Sequence, residues 1–127
     1  MMVTVALHGQ GMTLARWVFN SLTDDQQGAK RKPSPTLVMI AVVTVMLAAH
    51  SLEIVAWAIF FVMTDILPRP DAAMIFSINS YTSLGASGIV LEGRWRGIAG
   101  IETMVAMLMF GWSTAVLANA GEKLNRD

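Results

Sequence analysis

Three side chains could do acid–base or ligand chemistry in an otherwise apolar chain: His50, Glu53 and Glu102. His50 and Glu53 are spaced i, i+3 and share one face of a helix. Such a pair could form a buried structural contact with interhelical hydrogen bonds, relay a proton or cation, or supply part of a metal shell. One His and one carboxylate leave that shell incomplete, and nothing nearby in the sequence completes it. No nucleophile stands beside a base at a recognisable spacing, so an enzyme is not expected. The other candidate chemistry is that of oxygen. Residues 76–88 read FSINSYTSLGASG, a polar, Gly-bearing run with an apolar segment on each side. A loop of this kind between two spans can present backbone carbonyls to a cation in place of its hydration shell.

The elements that must position this loop follow from composition. Of 127 residues, 54% are hydrophobic and 14% charged, more apolar surface than a soluble domain of this length can hide, so lipid is the expected solvent. The net charge of zero suggests no nucleic-acid partner. Without cysteine there is no disulfide, thiolate metal site or catalytic thiol. The ten methionines read as packing residues of apolar spans.

Along the chain, residues 1–35 form an N-terminal membrane-associated helix and a basic linker. The helix carries His8, Gln10 and Arg16, and is either a short span or an amphipathic helix on the membrane surface anchored by Trp17 and Phe19. Arg16 is the first basic residue, so a leader peptide is not suggested. Lys30, Arg31 and Lys32 precede the first long apolar run and place that end in the cytoplasm. The first span covers 36–67. Pro68 and Pro70 break it, and Asp71 is placed to cap a short helix over 71–81, about three turns and too short to cross. That segment reads as re-entrant. The second span covers 98–120, and 121–127 is a polar cytoplasmic tail. Glu102 lies about one turn into this span, where a hydrogen bond to the short helix or the first span is the simplest role and ion lining the alternative. Gly111, Ser113, Thr114 and Ala115 permit close helix approach, and Trp112 reads as packing. No helix carries serial arginines of a voltage sensor, and no internal repeat marks a small transporter.

These residues resemble the pore module of the potassium-channel superfamily, particularly small bacterial two-span channels, over roughly 36–120. Phe76 and Ser77 match the family's FS. Thr82 and Ser83 fall on its paired threonines, Leu84 on the valine and Gly85 on the first filter glycine. Ala86, Ser87 and Gly88 stand where the family has tyrosine, glycine and aspartate. Asn79 falls on a position sometimes occupied by a glutamate that pairs with that aspartate. Downstream, Arg96 matches the turret arginine, Ala106 the hinge glycine, and Phe110, Gly111, Thr114 and Ala115 the stretch where inner helices cross.

The resemblance implies an all-α integral membrane fold, in which two transmembrane helices flank a re-entrant pore helix and a filter loop over 82–88. It implies a homotetramer in a bacterial inner membrane that passes K+ or Na+ and needs no other cofactor. The filter residues are Thr82, Ser83, Leu84, Gly85, Ala86, Ser87 and Gly88, with pore support from Asn79, Glu102, His50 and Glu53. A serine at the second glycine position resists the positive φ that glycine adopts freely, so the upper filter should be rebuilt and potassium selectivity weakened. Phe76 and Tyr81 are the remaining candidates for the aromatic collar. The alternative is a non-conducting relative that acts as scaffold or partner subunit.

Overall fold

The computed structural model describes residues 1–24, 33–85 and 88–126. It is all-helical, and no strand occurs among the described residues: α1 (Met2–Asp24), α2 (Pro35–Met63), α3 (Pro70–Tyr81), a 3-10 turn (Gly93–Trp95) and α4 (Ile98–Arg126). The basic run Lys30–Lys32 and the filter positions Ala86 and Ser87 lie outside the described residues.

α2 and α4 are long and apolar enough to cross a membrane. At 1.5 Å per residue the 29 residues of α2 extend about 44 Å, beyond a hydrocarbon core of about 30 Å. Of their most apolar stretches only 28% and 33% is buried inside the chain, unlike the core helix of a soluble protein, which is mostly buried. Their outward faces carry Ile40, Val43, Leu47, Leu52 and Ile59 on α2 and Met104, Met107 and Leu108 on α4. Exposed hydroxyls on these helices turn back on their own backbone: Thr44 donates to the Ile40 carbonyl, Ser51 to Leu47 and Thr114 to Phe110. Each such bond removes a polar group that lipid could not satisfy.

Element bounds differ from the sequence reading in three places. α2 stops at Met63, four residues short of the expected end, because Asp65 adopts φ 57° and turns the chain out of the helix. α3 starts at Pro70, with Arg69 as its N-cap residue: proline fits the first helical position, where its missing N–H is not needed. Asp71 therefore sits in the first turn, paired with Arg69 at 2.5 Å, and does not cap the helix. The expected polar tail is helical to Arg126, with Lys123 and Arg126 in the last turn, where positive charge complements the helix dipole.

α1 runs antiparallel along α2. Gly11 meets Ala49 so closely that a Cβ on Gly11 would lie 2.5 Å from the alanine methyl. His8, Met12, Ala15 and Phe19 form one buried stripe, and the last three share an apolar cluster with Val38, Val42 and Met46 of α2 and Val116 and Ala120 of α4. Of the two expected surface anchors, Trp17 is exposed but Phe19 is buried in this cluster. A second apolar cluster, at the other end, joins Trp57, Ala58 and Phe61 of α2 to Ala73, Phe76 and Tyr81 of α3 and Ala106 of α4.

Candidate functional site

α3 runs back beside α2 from its end toward its middle. Phe76 meets Phe61 edge to face at 5.2 Å, Ser77 reaches the Ile54 carbonyl at 3.0 Å, and Tyr81 reaches Glu53 at 2.6 Å. Twelve residues of helix span about 18 Å, which matches the ten residues of α2 between Met63 and Glu53, about 15 Å. The C-terminal end of α3 thus lies halfway down α2. Ahead of α4, Ile89 and Leu91 pack on the second apolar cluster.

Among the expected filter residues, Thr82, Ser83, Leu84, Gly85 and Gly88 are exposed, Leu84 to 69%. The Thr82 hydroxyl donates to the Ile78 carbonyl, closing the end of α3, and the Gly85 N–H donates to the Asn79 carbonyl. Gly85 and Gly88 take φ of 70° and 68°, which glycine reaches without steric cost. Ser83 takes φ of 61°, a conformation that costs a non-glycine residue about 1–2 kcal/mol. The strain expected at Ser87 falls outside the described residues, whereas Ser83 carries strain that the sequence reading did not foresee. Asn79 donates its side-chain amide to the Ile75 carbonyl of its own helix.

Behind α3, Glu102 of α4 is fully buried. Its Oε1 is 2.6 Å from the Ser77 hydroxyl, which is also 3.0 Å from the Ile54 carbonyl, so one serine joins α2, α3 and α4. Thr103 adds a bond from its hydroxyl to the Ser80 carbonyl, 2.6 Å. At the exposed start of α3, the hydrogen bond from Arg69 holds the Asp71 carboxyl below its ordinary range.

The two apolar clusters are separated by a polar layer to which all four α-helices contribute. His50 and Glu53 are in it, 4.0 Å apart, and are linked through a third residue. Tyr81 of α3 donates to Glu53 Oε2 at 2.6 Å, and its oxygen lies 2.8 Å from His50 Nδ1. His50 Nε2 is 3.0 Å from the Ser113 hydroxyl of α4. His8 of α1, fully buried, closes the figure, with Nδ1 2.8 Å from Glu53 Oε1 and Nε2 3.4 Å from Ser113 Oγ. Phe110 covers His50 at 4.7 Å between ring centroids, and Trp112 covers His8 at 5.2 Å.

His8 and Ser113 were missed as members of this layer, and Tyr81 sits in it. The available signal was the stripe Thr4, His8, Met12, Ala15 and Phe19, which shares one helical face and marks His8 as inward. His8, His50 and Glu53 each bring one potential metal-ligating atom within 4.8 Å of the others. As arranged, those atoms bond one another, Tyr81 and Ser113, which accounts for them without an ion. Of the expected gate residues, Ala106 is buried in the second cluster, Phe110 is part-exposed with its ring on His50 and Tyr81, and Gly111, Thr114 and Ala115 face outward. No protein family, curated protein or solved structure matches the chain.

Proposed function

We propose that this chain is the pore-forming subunit of a cation channel related to potassium channels, assembled as a homotetramer, with weak or altered selectivity among monovalent cations. The observation that carries the reading is the path of α3. A helix too short to cross a bilayer returns from the end of one long apolar helix to its middle, and delivers its C-terminal end to an exposed, Gly-bearing loop before the second. The partial negative charge at that end favours a cation without choosing one. The loop carbonyls are the candidate ligands, and three further copies would supply the rest of each ring. Exposed Leu84, Met104, Met107 and Leu108 support assembly, because they leave the loop and the outer face of α4 uncovered by the chain itself. In this reading α1 is a third membrane helix, since it follows α2 through the depth at which Glu53, Ala49 and Val42 lie.

Bi-ionic reversal potentials across patches of reconstituted protein test the proposal. Currents carried by both K+ and Na+, with a reversal potential near that of a weakly selective pore, are expected. Strong potassium selectivity would overturn the altered filter, and the absence of any current would leave the non-conducting scaffold as the better reading.

A further inference from the structure

The polar layer is a closed ring of five side chains with five links: His8 to Glu53, Glu53 to Tyr81, Tyr81 to His50, His50 to Ser113, and Ser113 to His8. Five hydrogen bonds need five hydrogens. The serine hydroxyl, the tyrosine phenol and two neutral imidazoles carry one each, and a carboxylate carries none, so the side chains supply four. With four, the ring holds one uncompensated negative charge in a buried layer, and one link has no hydrogen. A fifth proton fills that link and brings the net charge to zero. Both deficits are costly in a dry interior, and one proton removes both.

The bond directions locate it. Tyr81 donates to Glu53, so His50 donates to Tyr81 from Nδ1 and accepts from Ser113 at Nε2. The Ser113 oxygen then accepts from His8 Nε2. One proton remains, in the 2.8 Å contact between His8 Nδ1 and Glu53 Oε1. We infer that the ring is a proton-binding site, occupied by one proton shared between His8 and Glu53, and that this proton fastens α1 to Glu53, the carboxylate that holds Tyr81 at the head of the loop.

The site discriminates against both neighbouring states. Loss of the proton leaves lone pairs facing each other at the His8–Glu53 contact or, once the neutral His8 ring moves its remaining hydrogen to Nδ1, at the His8–Ser113 contact, and either way α1 loses one of its two bonds to the ring. A second proton at His50 Nε2 sets two imidazolium rings 5.1 Å apart around one carboxylate. The groups that face the site are His8 from α1, His50 and Glu53 from α2, Tyr81 from α3 and Ser113 from α4, which brings no charge at this level. Glu102 lies farther along α4, engaged by Ser77. Tyr81 is the residue immediately before Thr82, so a change in the ring reaches the base of the loop directly.

The test needs no conduction and stands apart from the channel reading. His8 and His50 are the only two histidines, so 15N-labelled histidine reads both imidazoles in the unmutated protein in nanodiscs, and 13C-labelled glutamate reads the charge of the Glu53 carboxyl. At neutral pH the expected result is a third imidazole N–H with an ionised Glu53, or two N–H groups with a protonated Glu53. Raising the pH should release one proton in a single step, seen together in the His8 nitrogens and in the emission of Trp112, which packs on His8. Trp112→Phe should remove the emission change and Glu53→Gln the release step. Two N–H groups beside an ionised Glu53 at neutral pH would overturn the inference, as would histidines that titrate identically with and without Glu53→Gln.

Discussion

The buried ring and the loop above it meet at Tyr81 and differ in completeness. Every polar atom that the five ring side chains turn toward one another is engaged within one chain. The loop, which begins one residue after Tyr81, leaves Thr82, Ser83, Leu84, Gly85 and Gly88 exposed, and its backbone takes three positive φ values to do so. A closed polar layer fixes one arrangement of helices. An open loop mounted on that layer is a surface that another copy or an ion can complete. The contrast separates substitutions that unmake the chain from those that unmake only what the chain assembles.

Glu53→Ala should give the largest effect on the fold. It leaves the His8 ring and the Tyr81 hydroxyl without their shared acceptor, a change worth about 3–5 kcal/mol for a buried charged partner. Thermal unfolding in detergent should fall sharply, with α1 becoming accessible to protease first. Tyr81→Phe removes a single hydroxyl, and the expected loss is about 1–3 kcal/mol in the same assay. Gly85→Val sharpens the comparison from the other side. A β-branched residue resists the φ of 70°, so the exposed loop should relax to another path, with ion flux dropping to background and the unfolding temperature falling less than in Tyr81→Phe. Equal loss of stability in Gly85→Val and Tyr81→Phe would erase the distinction between the two regions. Asp71→Asn should do least, because Arg69 and Asp71 are both solvent-exposed. Its carboxyl is held below the ordinary range, so what it contributes is present above that range and lost only as pH falls through the lowered value. Unfolding midpoints of Asp71→Asn and the parent should differ least among the four variants at neutral pH and coincide in acid, below the lowered value.

The sequence made the frame readable and the ring only partly so. α2, α3 and α4 follow from apolar runs and from Pro68 and Pro70, which are local signals. His50 and Glu53 announce a shared face by their spacing. His8 lies 45 positions from Glu53 and Ser113 lies 63 from His50, and no periodicity links such distant positions. Read alone, His8 counts against burial of α1, because a polar residue in an apolar helix is costly until its partner is known. Ser113 reads equally well as a small packing residue, since its hydroxyl gains a role only when α2 and α4 meet. The bounds of α2 and α3 turned on backbone conformations at Asp65 and Pro70 that hydropathy does not report.

Density along the symmetry axis of the assembled protein, determined in potassium and again in sodium, tests the central claim most directly. Four copies with residues 82–88 turned toward the axis, and cation density between their carbonyls in both salts, are expected. A monomer or dimer, or loops that face lipid with no ion between them, would contradict it.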